Sequence, residues 1–269
     1  MTYPAVSCMC PTFGRPQRLL EESVYSFLRQ DYPGAKELLI LNDFDRQAIT
    51  FDHPEVRIFN CATRFGSLGE KRNAAAALCR YDLIAVWDDD DIYLPHRLTF
   101  SAARYHAQRR FFKANQAFVM YDGAVRGPRT SRFHGASLWH RSLLEEAGGY
   151  AHIGSGEDAD LEIRFQAIAG EGIDYELIAP DEIYYIYRWK GTHSYHLSRY
   201  GRDGDGPTAN DRVAEYVAAQ IERGEIASGK IALEPQWTVD YAQLVRDYVA
   251  GLGERARSFL PQGRHGIEP

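Results

Sequence analysis

The sequence predicts an α/β protein built on a Rossmann-like, mostly parallel sheet flanked by helices, with a helical extension at the C-terminal end. Three observations carry that prediction. Short apolar runs alternate with amphipathic helical segments through residues 5–110, the pattern of a parallel sheet with helices on its faces. Several of these runs end in polar residues, which gathers chemistry along one sheet edge, where ligands of open α/β folds bind. The run Leu83–Trp87 has no polar break and leads straight into Asp88, Asp89, Asp90 and Asp91. Such a strand is covered on both faces.

Each element can be justified in order. Ala5–Cys10 is the first strand. The turn 11–16 ends in a proline suited to the first position of a helix. Leu20, Val24, Phe27 and Leu28 then share one helical face, up to a turn at 31–34. Glu37–Asp43 is a second strand, ending in Asn42 and Asp43. Val56–Cys61 alternates apolar and polar residues, as a more exposed strand does. A glycine-bearing loop, 64–69, leads into Glu70–Asn73 and the helix former AAAALC. Lys71 and Arg72 fall in the first turn of this helix, where cations oppose the macrodipole unless an anion is shared between them. A phosphate would supply that anion; two solvated basic residues are the plainer alternative. The helix starting at Pro95 is expected to continue to residue 110.

Beyond it, Ala117–Tyr121, Ala136–Trp139 and Ile183–Trp189 read as short strands of a mixed second half that shapes an acceptor site. After Gly148-Gly149-Tyr150, residues 154–160 lead into a helix with Leu161, Phe165 and Ile168 on one face. Ser155 and Asp158 have the spacing of a capping box, and a carboxylate at that position is equally placed to be a general base. Residues 187–196 combine cations, imidazoles and an indole, and could close over a pyrophosphate with His193 or His196 as an extra metal ligand. Residues 201–207 read as a flexible junction, 210–222 and 241–252 as amphipathic helices, and the tail from Pro261 as loose. The domain boundary is therefore expected near residue 200, with a catalytic domain over 1–200 and an extension over 201–269.

Composition excludes some classes. The 269 residues carry 37 acidic and 31 basic side chains, a net charge of -6, so no global positive field favours nucleic acid. The N-terminal residues lack a signal-peptide pattern, and no stretch approaches the roughly 18 apolar residues of a membrane helix. A cytoplasmic protein is expected, with peripheral membrane contact and a homo-oligomer left open. The four cysteines, with a C-x-C on the first strand, are expected to be buried free thiols. Four consecutive carboxylates repel, by roughly 4 kcal/mol for a pair at 4 Å and an effective dielectric near 20. A divalent cation relieves that cost, and an oxygen-only donor set favours magnesium, manganese or calcium, with substrate phosphates completing the shell. A solvated acidic loop is the alternative.

PTFGRP after the first strand, the block SFLRQDYPGAKELLILND, GEKRNAAAA before a helix, WDDDDIYLPHRL, and AGGY followed by GEDADLEIRF together resemble glycosyltransferase family 2, inverting enzymes with the GT-A fold. Their order and spacing match across residues 4–198. The resemblance implies transfer of a sugar from a nucleotide-diphosphate sugar, with UDP expected, to a hydroxyl of a glycan or lipid-linked glycan, assisted by Mn2+ or Mg2+. It implies that Thr12 and Arg15 line the nucleotide pocket, that Asp43 accepts a hydrogen bond from the base, and that Lys71 and Arg72 lie near the donor ribose and diphosphate. Asp90 would be the principal metal ligand, with Asp88 its partner in the D-x-D reading; Asp88 and Asp89 would hold ribose or coordinated water. Asp158 resembles the family's base, with Glu157 beside it. One departure is LNDFD in place of the commoner double aspartate followed by Gly-Ser, so Asn42 and Phe44 alter the surroundings of Asp43. Tyr121, Trp139 and Trp189 are candidates to stack on sugar rings by their position alone. A metal-dependent nucleotidyltransferase and a non-catalytic sugar-nucleotide or glycan binding module are the competing readings.

Overall fold

A seven-stranded sheet forms the centre of the structure, a computed structural model that describes residues 3–105, 107–131, 133–170, 175–189 and 209–252. In chain order the first half runs β1 (Val6–Thr12), α1 (Gln17–Leu28), β2 (Lys36–Asn42), β3 (Gln47–Thr50), β4 (Val56–Asn60), α2 (Leu68–Leu78), β5 (Leu83–Val86), β6 (Ile92–Tyr93) and α3 (Arg97–Arg104). The second half runs β7 (Phe111–Ala114), β8 (Gln116–Tyr121), β9 (Ala124–Thr130), β10 (Ser137–His140), α4 (Arg141–Glu146), α5 (Glu157–Ala169), β11 (Tyr175–Glu176), β12 (Tyr185–Trp189), α6 (Ala209–Glu222), β13 (Gly229–Ala232) and α7 (Tyr241–Leu252).

The central order is β11-β7-β10-β5-β1-β2-β4. Strands β4, β2, β1 and β5 are mutually parallel. Only β10 runs against its neighbours, between β5 and β7. The period-2 alternation of the strands sends their side chains to two separate cores. Cys8, Cys10, Leu38, Ile40, Ala85 and Trp87 meet Leu20, Val24 and Phe27 of α1 on one face. Met9, Leu39, Leu41, Ile84 and Val86 meet Ala75 and Ala76 of α2 and Leu161 and Phe165 of α5 on the other. Both faces are covered, which is why these strands tolerate no polar break. Edge strand β4 is half-exposed, as its alternation predicts. Cys8 and Cys10 are buried free thiols, and burial pushes Cys8 up to about 12.

A second sheet, β6-β12-β8-β9, and a two-stranded pair, β13-β3, complete the scaffold. The sequence reading missed β3, β6, β7, β9, α4, β11 and β13, and it carried the helix after Pro95 too far. That helix stops at Arg104; Arg110 adopts φ 57° and Phe111 enters a central strand. The expected helices near the C-terminus are present. Val217 of α6 packs on Phe44, β13 pairs with β3, and Tyr241 and Val245 of α7 enter the first core. The junction 201–207 and the tail from Pro261 lie outside the described residues. No helix among the described residues is long and apolar enough to cross a membrane.

Candidate active site

The C-terminal ends of β1, β2 and β5 open on a cavity of about 1050 Å³. Thr12, Arg15, Asp43, Lys71, Arg72, Asp88, Asp89, Asp90, Glu157 and Asp158 all line it. These ten predicted site residues come from stretches as far apart as β1 and α5, and the topology brings them together. The eleventh, His193, lies outside the described residues, as does His196.

Three cations of the site, Arg15, Lys71 and Arg72, are paired with carboxylates. Arg15 donates from Nε to Asp89 Oδ2 at 2.8 Å and from Nη2 to Asp90 Oδ2 at 2.9 Å, a fork that holds the two carboxylates in place. Lys71 donates from Nζ to Asp43 Oδ1 and to the Thr12 carbonyl, both at 2.5 Å, and the backbone N–H of Phe65 donates to the other Asp43 oxygen at 3.0 Å. Arg72 bridges Asp88 at 3.4 Å and Glu157 at 3.1 Å. Lys71 and Arg72 are thus buried and paired with protein carboxylates rather than solvated. A spare donor remains, because Arg72 Nη1 is buried without a hydrogen-bond partner. Burial lowers the Lys71 pKa, with Asp43 opposing it. Burial raises Asp89, and the neighbouring Asp90 adds to that while Arg15 opposes it.

The fourth aspartate has a different task. Asp91 is fully buried, accepts from the Tyr185 hydroxyl and takes the Arg188 backbone N–H at 2.7 Å, so it anchors β12 rather than facing the cavity. Arg188 also donates to the Asp90 carbonyl and, from Nη1, to the buried Glu22 of α1.

Asp158 reaches the cavity through the docking of α2 against the loop before α5. Asn73 Nδ2 donates to the Tyr150 carbonyl at 2.9 Å and Asn73 Oδ1 accepts the Tyr150 N–H at 2.7 Å. Gly69 comes so close that an added Cβ would lie 1.8 Å from the Ala151 carbonyl oxygen. The capping box expected from Ser155 and Asp158 does not form: the helix starts after Gly156, whose φ of 82° favours glycine, with no side-chain cap. Side-chain capping appears instead at α2, where Ser67 accepts from the Glu70 N–H and Glu70 accepts from Gly66 N–H. Released from that duty, Asp158 is half-exposed to the cavity, whereas Glu157 is buried against Arg72. Burial pushes Asp158 up, but the fields of His134 and Arg72 outweigh it and leave the carboxyl below the ordinary aspartate value. Burial raises Glu157, with Asp158 adding and Arg72 opposing. The two neighbouring acids are therefore driven apart, Asp158 toward the ionised form and Glu157 away from it.

Several lining residues carried no sequence signal. His134 contacts Glu162 Oε1 at 3.2 Å and the Tyr150 hydroxyl at 2.8 Å, and Glu162 also accepts from the buried Lys113 at 2.5 Å. Nothing around a lone histidine in a loop marks it in advance. Arg64 stacks over Phe13, its guanidinium carbon 3.8 Å from the ring centroid. Asn210 of α6 donates to the Gly66 carbonyl at 2.8 Å and lines the cavity too. Of the aromatic candidates, Tyr121 lines the cavity, whereas Trp139 is fully buried in the second core and does not; the Trp189 side chain lies outside the described residues. Tyr185, Tyr187 and Phe133 supply aromatic wall that the sequence reading did not assign.

The donor set fits a hard divalent ion of the kind that keeps few protein ligands. All candidate donors are carboxylate oxygens, and among the described residues no three metal-ligating side chains converge into a cage. One or two carboxylates with substrate phosphates is the magnesium-like arrangement. Gly135 leaves the space beside Asp88 open, since a Cβ there would lie 2.6 Å from Asp88 Oδ2.

The sequence matches the family model described as glycosyl transferase family 2 over residues 7–146. No curated protein matches it. Among solved structures, Staphylococcus aureus TarS is 16% identical over 82% of this chain with a TM-score of 0.49, and this chain spans 40% of that one. TarS 1-349 in complex with UDP gives 14% identity, 97% of this chain, 83% of that chain and a TM-score of 0.49. TarS 1-349 in complex with UDP-GlcNAc gives 15% identity, 96% of this chain, 74% of that chain and a TM-score of 0.48.

Proposed function

The chain belongs to glycosyl transferase family 2, with the mostly parallel α/β architecture of the GT-A fold, and from that premise we propose that it moves a sugar from a nucleotide-diphosphate sugar to an acceptor hydroxyl with inversion. UDP is the nucleotide we assign to the donor. One observation carries the reading most: a half-exposed Asp158 with a depressed pKa shares a cavity with the Asp88–Asp90 carboxylates and with an arginine, Arg72, that has a donor to spare.

In this mechanism Asp158 is the general base. Its ionised form accepts the hydroxyl proton as the acceptor oxygen bonds to the anomeric carbon, when that proton has become acidic enough for a weak base to take. Arg72 presents its free Nη1 to the diphosphate while Asp88 and Glu157 hold it in place. Arg15 fixes the orientation of Asp89 and Asp90. Phe13 and Arg64, with Asp43 behind them, form the surface on which the base and ribose would lie. Asp90 and Asp88 would hold Mg2+ or Mn2+, which when bound neutralises charge developing on the leaving diphosphate.

Two measurements test the reading. Calorimetric titration of UDP and GDP, with and without manganese, should show manganese-dependent binding of UDP that Asp90→Ala weakens. Asp158→Asn should keep UDP affinity and lose transfer by roughly 10²- to 10⁴-fold, the usual worth of general-base catalysis. Near-normal turnover in that variant would remove Asp158 from the mechanism, and release of pyrophosphate instead of nucleoside diphosphate would replace glycosyl transfer by nucleotidyl transfer.

A further inference from the structure

Strand β9 carries an irregularity beside the cavity. Opposite β8, Val119 pairs with Arg126 and Ala117 with Arg129, so β9 advances three residues where β8 advances two. In a regular strand, residues three apart point to opposite faces. The extra residue brings Arg126 and Arg129 to the same face: both are exposed and both line the cavity, while Val125 and Pro128 are buried behind them. Gly127 makes this possible with a φ of 109°, and a Cβ there would lie 2.9 Å from the Arg129 nitrogen. The Tyr248 hydroxyl of α7 donates to the Gly127 carbonyl at 2.8 Å and holds the bulge from behind. Bulges at such places re-aim side chains.

Their surroundings distinguish this pair from the other cations of the cavity, of which Arg64 stacks on Phe13 and donates to the Asn210 carbonyl. Arg15, Lys71 and Arg72 each hold carboxylates. Neither Arg126 nor Arg129 meets a carboxylate among the described residues; Arg126 lies only against the Tyr121 ring, 5.5 Å from its centroid. Two guanidinium forks on one face suit a phosphate, which they can grip through paired N–H donors. Space is sufficient for a second substrate, since about 1050 Å³ exceeds the roughly 300–1,000 Å³ of a site for one small molecule.

We propose that Arg126 and Arg129 form an anion subsite for the acceptor, which carries a phosphate group close to the hydroxyl that receives the sugar. The inference rests on the donor reading above, with the diphosphate at Arg72. Its test is a calorimetric titration of the UDP-saturated protein with glucose 6-phosphate, and with glucose as the uncharged control. Glucose 6-phosphate should bind and glucose should not, and the double variant Arg126→Gln/Arg129→Gln should weaken glucose 6-phosphate by about tenfold or more while UDP affinity is unchanged. Both side chains are exposed, so the variant should melt within about 2 °C of the wild type; Arg129→Lys, which keeps the charge and loses the fork, should fall between. Failure of UDP to bind the wild type would refute the donor reading, and the same titration on the UDP-free protein would still read the arginine pair. The subsite is overturned if glucose 6-phosphate does not bind, if the double variant binds it as well as the wild type, or if UDP affinity falls in parallel.

Discussion

Glu22→Gln offers a sharp test of how the aspartate loop is held. Glu22 is fully buried and takes Arg188 Nη1, the Thr238 hydroxyl and N–H, and the Tyr241 hydroxyl at 2.8 Å. A glutamine keeps the acceptor for Tyr241 but turns an N–H2 donor toward the guanidinium of Arg188 and removes the carboxylate charge that faces it there. Breaking one side of such a pair costs about 3–5 kcal/mol. At about 2.1 cal/mol/K per residue, a chain of 269 residues melts with an entropy near 0.6 kcal/mol/K, so the expected drop in Tm is about 5–9 °C. The sign with pH follows from the same contacts. Burial raises Glu22, Arg188 and the two hydroxyls outweigh it, and the folded pKa lies below the ordinary 4.5. The stabilisation is therefore complete above 4.5 and is lost as pH falls through the depressed folded value. Differential scanning calorimetry of both proteins at pH 7 should show the full gap, and the gap should narrow at pH values beneath 4.5. A gap under about 2 °C at pH 7, or one that does not change with acidification, would refute the reasoning.

Three further outcomes are expected. Gly69→Ala should lower transfer at least about a hundredfold and destabilise by roughly 1–3 kcal/mol, because its Cβ would collide with the Ala151 carbonyl at 1.8 Å and push away the loop that carries Asp158; steady-state kinetics with urea titration checks both. Glu162→Gln should cost about 3–5 kcal/mol by removing the carboxylate charge that faces the buried Lys113, whose side chain is 0% exposed, and Lys113→Met/Glu162→Leu should recover most of it in a denaturant midpoint measurement. Tyr248→Phe should remove about 1 kcal/mol and raise hydrogen exchange in β9, measured by mass spectrometry, while leaving α1 and β2 protected.

The parts legible in the sequence were those encoded by period and by runs. Unbroken apolar stretches such as Leu38–Leu41 and Ile84–Trp87 can only be strands covered on two faces, and both cores formed around them. Strands β3, β7 and β13 escaped because they are four residues long and gain their place from partners far along the chain; β13 finds β3 across some 180 residues. Ser155 and Asp158 misled because spacing alone suggests a cap, whereas the left-handed Gly156 starts the helix without one. The ten lining residues were found because their stretches end strands or begin helices and because those stretches resemble the family's motifs. His134, Arg126 and Arg129 were not, because a buried hydrogen-bond chain and a bulge exist only once the fold has formed.

The cavity's lining residues have separate genetic addresses. Those assigned to the donor and the base fall at 12–90 and 157–158, while those at 119–135 form another group, encoded between the aspartate run and α5. If the acceptor lies against Arg126 and Arg129 as proposed, variation confined to the β8–β9 hairpin would exchange what is glycosylated while the residues assigned to the donor stay unchanged. A library randomised over 121–131 would on that proposal be a route to retargeting.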